Sequence, residues 1–259
     1  MPSGTQALDR SLAILNLFNK ERLFLTLPEV AEFLGVSNGT AYRYVRAFVD
    51  TGLLSHENGQ IRLTSKFLRY SDLFLSDDHI VKAAREPMEK VFEKTQETIA
   101  LCELQGVTVT CTHRLESHFP LRSSFQIGEA RPIYAGAFSR ALAAFLPQNK
   151  LRSIVTRTVW KRFTSNTVDT PEEFYRKLDM VREREYDVSF EEVTQGVVAL
   201  AVPLKWPPHS VASLGMTIPL ARYSPKQLDL LLQPLVEARK SIEKTLREIA
   251  PERPSSETE

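Results

Sequence analysis

The 259-residue chain carries 33 Lys and Arg against 32 Asp and Glu, a formal net charge of +1, and 42% of its residues are hydrophobic. That length and apolar content suffice for two hydrophobic cores, and no apolar run approaches the roughly 20 residues that span a bilayer, so no membrane-spanning helix is expected and a cytoplasmic location is expected. Bulk charge cannot carry a polyanion either: residues 1 to 70 hold 8 Lys and Arg against 6 Asp and Glu, so nucleic-acid binding would depend on where a few cations point.

The first apolar stripe, Leu8, Leu12, Leu15 and Phe18, has helical spacing and serves either a dimer contact or the core of an N-terminal head. From Thr26 to Leu54 the sequence predicts two short helices joined by a tight turn. Thr26 and Glu29 form a capping box with Pro28 at an early helical position, and Val30, Ala31 and Leu34 face inward. Gly35 supplies the left-handed exit and Val36 the corner. Ser37 caps the second helix, in which Ala41, Tyr44, Val45 and Phe48 make one face apolar. The opposite face then presents Thr40, Tyr42, Arg43 and Arg46. The small N-terminal residues Ser37, Asn38, Gly39 and Thr40 suit close approach of a phosphate to the positive helix end, with Gly39 costing about 1 kcal/mol of helix stability relative to Ala. Two alternating arms around Asn58-Gly59 then predict a type I′ hairpin, the wing of a winged helix, with Arg62 as the favoured wing contact and His56 near the tip either a phosphate contact or a plain exposed loop residue.

Residues 65 to 75 are helical in period and read as a linker, ended by Asp77 and Asp78. The next helix, about Ile80 to Gln96, contains Pro87, which predicts a kink or a boundary. From Thr98 the pattern changes to strands: residues 98–104, then 107–115 after a turn at Gln105-Gly106, and a further strand near Phe119 to Gln126. Val107, Val109, Cys111, His113 and Leu115 share one face if the alternation is unbroken, making Cys111 a small buried hydrophobe and His113 a core or pocket histidine. Cys102, Cys111, His113 and His118 do not have the spacing of a zinc site, and no cofactor is implied. Helices are predicted over 134–145, 149–156 and 172–185, then strands over 196–204 and 211–218 joined at Pro207-Pro208, and an amphipathic helix from Pro225 to about Ile249. The tail from Pro251 to Glu259 is polar and predicted disordered. The fold class expected is α+β: a winged helix-turn-helix over 1–64, a linker helix over 65–78, a second domain of antiparallel sheet flanked by helices over 79–250, and the tail over 251–259.

At this point the chain resembles the IclR family of bacterial transcription regulators from about Leu8 to about Ile249. The recognition-helix pattern S-x-x-T-x-x-R stands as Ser37, Thr40 and Arg43, followed by Gly52-Leu53-Leu54. The second domain resembles the family's GAF-like effector domain in PIYAGAFSRALAAFLP from Pro132 and in YDVSFEEVTQGVVALAVPL from Tyr186. The resemblance implies a homodimer or homotetramer that binds a palindromic double-stranded DNA operator and responds to a small organic-acid effector. It places DNA contacts at Ser37, Asn38, Gly39, Thr40, Tyr42, Arg43, Arg46 and Arg62, and effector contacts at Tyr134, Gly136, Ala137, Ser139, Arg140, Ser189, Ala199, Gly215 and Thr217. Where the family has a His and a Gly-Lys pair, this chain has Tyr134 and Ser139-Arg140, and Ala199 and Gly215 replace polar side chains. Those departures predict a roomier, more apolar pocket and an aromatic or otherwise bulkier acid. Arg122, Arg131 and Arg140 are candidates to pair with its carboxylate, beside surface or structural roles.

Two rival functions remain at the level of sequence. An enzyme needs a nucleophile, base or metal set, and the adjacent Glu191-Glu192 is instead a solvated charge pair by its spacing. A winged helix used to bind proteins would lack the steep salt dependence of phosphate contacts.

Overall fold

The computed structural model describes residues 5–19, 21–120, 125–206 and 209–249, in two compact units that divide after Asp77. The first unit begins with α1 (Thr5–Ala13), which tightens into a 3-10 turn at Ile14–Leu17. It continues through β1 (Phe24–Leu25), α2 (Leu27–Leu34), α3 (Asn38–Asp50), β2 (Leu54–Glu57), β3 (Gln60–Leu63) and α4 (Lys66–Asp77). The start of α2 is held by Glu29, whose carboxylate accepts from the Thr26 amide at 2.7 Å and from the Thr26 hydroxyl at 2.8 Å. Arg22 donates to the same carboxylate and is the main reason its pKa falls to about 2, with the Thr26 bonds adding to it. Gly35 adopts φ of +62° and ends α2. Val45, Phe48 and Ala41 of α3 close the core over Ile14, Leu25 and Ile61. Leu8 and Leu12 stay exposed while Ile14 is fully buried, so the core is reached at the 3-10 turn and most of the α1 stripe is left outside.

The hairpin between β2 and β3 turns on Asn58 and Gly59, both at positive φ (+51° and +76°), as a type I′ turn requires. β1 joins β3 as a third antiparallel strand, in the order β1-β3-β2. With two residues it was too short to leave an alternation signal.

The second unit is one antiparallel sheet covered on both faces. Its strands are β4 (Thr98–Gln105), β5 (Thr108–Leu115), β6 (Ala130–Pro132), β7 (Asp187–Phe190), β8 (Val197–Trp206) and β9 (His209–Pro219), in the order β6-β5-β4-β9-β8-β7. The helices are α5 (His79–Thr95), α6 (Gly136–Ala143), α7 (Gln148–Arg157), α8 (Pro171–Arg184) and α9 (Leu228–Ile249). One face packs on α6, α7 and α8, the other on α5 and α9, which is why the central strands are apolar on both sides instead of alternating. α5 is capped by the Asp78 carboxylate, which accepts from the amides of Ile80 and Val81, and it runs through Pro87 as one helix, so no boundary falls there. Pro87 and Pro234 of α9 line the same groove between these two helices.

Three expectations from the sequence need correcting. The alternation in β5 is broken: Leu101 pairs with His113 but Cys102 pairs with Cys111, leaving Thr112 as the extra residue of a β-bulge. Val109 and Cys111 therefore pack toward α6, whereas Leu115 packs toward α5 and α9. His113 is half-buried, and burial, then the charge of Arg85 on α5, lowers its pKa. Second, the described part of 119–126 forms no strand: Gly128 turns at φ of +81° and the Gln126 amide bonds the Glu129 carboxylate, so β6 becomes the edge strand. Third, Glu192 is buried, not solvated. Arg122, the Pro207-Pro208 turn and the tail from Pro251 lie outside the described residues.

Candidate DNA-binding face and effector cavity

α3 has the two-faced character that its spacing predicts. Ser37 caps it, its hydroxyl accepting from the Thr40 amide at 3.3 Å. Ser37, Asn38, Gly39, Tyr42, Arg43 and Arg46 are exposed and Thr40 is half-buried. Arg46 lies 3.8 Å from Asp50 one turn on, an exposed pair that holds it only weakly. Arg43 makes no hydrogen bond or ion pair among the described residues, so its five donors are free to meet a partner. A Cβ built on Gly39 would have nothing within 4 Å, so nothing inside the unit requires glycine there.

The wing is arranged differently from the expectation. Arg62 is exposed but is paired across the sheet with Phe24 and Ser55, on the face opposite the buried Ile61, and its guanidinium lies 5.7 Å from the Phe24 ring. It bonds Gln60. The wing residue that stands beside α3 is His56, whose ring lies 6.4 Å from that of Tyr42. His56 pairs with Ile61 across the hairpin and so points toward the helix side, a register the sequence could have supplied from Asn58-Gly59 alone.

In the second unit the N-terminus of α6 meets β7, β8 and β9 around a cavity of about 20 Å³. Gly136, Ala137, Ser139, Ser189, Ala199 and Thr217 line it, together with Arg131, Phe125, Phe138 and Val193. Gly136 sits at φ of +80°, and a Cβ there would come within 3.2 Å of Val193 Cγ2, so only glycine fits this helix start. The Ser189 hydroxyl accepts from the Ala137 amide at 3.1 Å, tying β7 to α6. The Thr217 hydroxyl is buried without a partner in the structure. Arg131 stacks on Phe125 at 4.0 Å and bonds Glu129 through Nε and Nη2. The cavity thus has a buried hydroxyl lacking a partner among the described residues at Thr217 and, at another part of its lining, a guanidinium partly engaged at Arg131, and each favours an acceptor group.

The remaining expected contacts do not line the cavity. Tyr134 is fully buried, its hydroxyl accepts from the Lys161 amide at 2.7 Å, and its ring stacks on Trp160 at 4.5 Å. Arg140 is fully buried and consumed internally: it bonds Asp187 at 2.7 Å, both oxygens of Glu192, and the Tyr134 carbonyl at 3.3 Å. Burial works against its charge, but the two carboxylates outweigh that and hold its pKa above the usual arginine value. A Cβ on Gly215 would lie 2.3 Å from the Leu200 carbonyl and 2.8 Å from Phe138 Cε1. The space at Gly215 is thus taken by the β8 backbone at Leu200 and Ala201 and by the Phe138 ring, and the pocket is tight where the sequence predicts a roomy one. Phe125, Phe138 and Val193 were missed because their contacts run between α6, the loops and β9, which no local spacing reports.

Both units match known proteins. A model of the IclR helix-turn-helix domain matches residues 7–57, and one of the C-terminal region of the bacterial transcriptional regulator IclR matches residues 73–244. The HTH-type transcriptional regulator KipR of Bacillus subtilis (strain 168) is 26% identical over 249 residues, 95% of this chain and 99% of KipR. A transcriptional regulator from Rhodococcus sp. RHA1 has a crystal structure that superposes with a TM-score of 0.78 at 26% identity, covering 95% of this chain and 99% of that one. An IclR homologue from Microbacterium hydrocarbonoxydans, crystallised with 4-hydroxybenzoate, superposes with a TM-score of 0.76 at 23% identity, over 93% of this chain and 99% of its own.

Proposed function

The chain belongs to the IclR family of bacterial transcriptional regulators, and on that footing we propose that paired copies bind a palindromic duplex operator through α3 while an organic acid in the second unit sets their affinity. The observation that carries the DNA reading is the outward face of α3, where Tyr42, Arg43 and Arg46 are exposed and Arg43 is unengaged among the described residues. The N-terminus of α3, with Ser37, Asn38 and Gly39, suits phosphate contact, and Arg43 suits a guanine edge. Pairing is supported by the apolar residues left exposed on α1 and α4, among them Leu8, Leu12, Leu68 and Leu73.

The effector reading rests on the cavity. Ser139, Ser189 and Thr217 offer hydroxyls, and Arg131 offers a cation to a carboxylate. At about 20 Å³ the cavity has room for about one water, so even an acid of a few heavy atoms needs its lining side chains to shift. An aromatic acid, such as the 4-hydroxybenzoate present in the Microbacterium protein's crystal, needs Phe125 or Phe138 to turn aside. Binding shifts operator affinity by the difference in the acid's free energy for the two arrangements of the regulator.

Selection from a randomised duplex library followed by fluorescence anisotropy tests the first part. A palindromic sequence should be enriched, Arg43→Ala should cost about 1 to 3 kcal/mol of its binding, and affinity should fall steeply with salt. An enriched site without two-fold symmetry, or affinity indifferent to Arg43→Ala, refutes it. For the second part, an acid panel that moves neither the melting temperature nor the operator affinity refutes an effector role.

A further inference from the structure

The absent side chain at Gly215 does not enlarge the cavity, because the β8 backbone at Leu200 and Ala201 and the Phe138 ring take up the space. Phe138 projects from the first turns of α6, is 5% exposed, and approaches the sheet where Gly215 has no side chain: its Cε1 would lie 2.8 Å from a Cβ there. Its ring also meets Phe125 at a centroid distance of 5.6 Å, so two aromatic side chains close one side of a cavity of about 20 Å³. The wall opposite is rigid. Ala199 and Thr217 belong to paired strands, and Ser189 is bonded to the α6 backbone. Of the two rings, Phe125 is held under the Arg131 guanidinium, and Phe138 is the one that reaches the sheet at Gly215.

We infer that Phe138 is the specificity-determining residue of this site, restricting it to short-chain carboxylic acids and excluding aromatic ones. The inference rests on the organic-acid reading of the cavity. Close packing makes the restriction sharp, since a well-packed interior yields little to an oversized group. Truncation to Ala removes a ring-sized volume from the wall of a cavity also lined by Phe125, Val109 and Ala199, which is the kind of apolar space that can take up a benzene ring.

The test uses the full-length chain and its Phe138→Ala and Phe138→Leu variants, titrated calorimetrically with pyruvate, benzoate and 4-hydroxybenzoate. The Leu variant keeps most of the packing and reports even if the Ala variant does not fold. The wild-type chain should bind pyruvate more tightly than either aromatic acid. In the Ala variant, or in smaller measure the Leu variant, the ratio of benzoate to pyruvate affinity should rise by on the order of tenfold or more. Wild-type protein that binds benzoate as tightly as pyruvate, or variants whose ratio is unchanged while pyruvate still binds, overturns the role of Phe138 and leaves the organic-acid reading standing. Binding of no acid by any of the three proteins removes that reading and the role of Phe138 with it.

Discussion

Replacing Arg140 with Met is expected to cost the second unit about 3 to 5 kcal/mol at pH 7.5, the range for removing one partner of a buried ion pair. Arg140 is fully buried, and the side chains of Asp187 and Glu192 keep only 11% and 5% of their surface exposed, so neither carboxylate can turn to water when the guanidinium is gone. Methionine roughly conserves volume, which limits the cavity contribution and isolates the charge effect. Urea unfolding followed by the fluorescence of Trp160, which stacks on Tyr134, reads the second unit. Neutralising the acids as well, in Arg140→Met/Asp187→Asn/Glu192→Gln, should recover most of the loss. A variant within about 1 kcal/mol of wild type would refute the account of Arg140 as a buried clamp.

Gly39→Ala should stabilise α3 by about 1 kcal/mol, because a Cβ there meets nothing, while weakening operator binding. A melting temperature that rises with unchanged DNA affinity would remove Gly39 from the interface. Thr217→Val removes a buried hydroxyl without a partner in the structure, so thermal stability should hold or improve while acid binding weakens; undiminished binding by titration would contradict its role as a ligand contact. Glu103 on β4 has its pKa raised from 4.5 to about 7, first by burial and then by the facing charge of Asp78, against a hydrogen bond from Thr112. A raised carboxyl pKa means the folded form holds the extra proton between those values, so its contribution is full below pH 4.5 and lost as pH rises through 7. Glu103→Gln should flatten that decline in a series of melts from pH 5 to 8, and an unaltered slope would count against it.

The elements of this protein were legible in its residues because their causes are local. Thr26, Glu29, Gly35 and Ser37 mark helix ends through bonds spanning at most five residues, and Asn58-Gly59 specifies its turn by itself. The two faces of α3 follow from a 3.6-residue period, so Arg43 is outward whatever the rest of the chain does. Family membership was legible for the same reason, in short motifs. Tertiary structure alone decided which polar groups are used up. Arg140 is spent on Asp187 and Glu192, 47 and 52 residues away, the Tyr134 hydroxyl on Lys161, 27 residues on, and the space at Gly215 on the β8 backbone and the Phe138 ring. The bulge at Thr112, which moves His113 and Leu115 to the other side of the sheet, likewise comes from strand pairing and leaves no trace in the alternation of β5 itself. Local sequence sets backbone conformation and which way a side chain leaves its own element. What that side chain meets depends on partners brought together by burial of both faces of the sheet, and no spacing along the chain encodes that meeting.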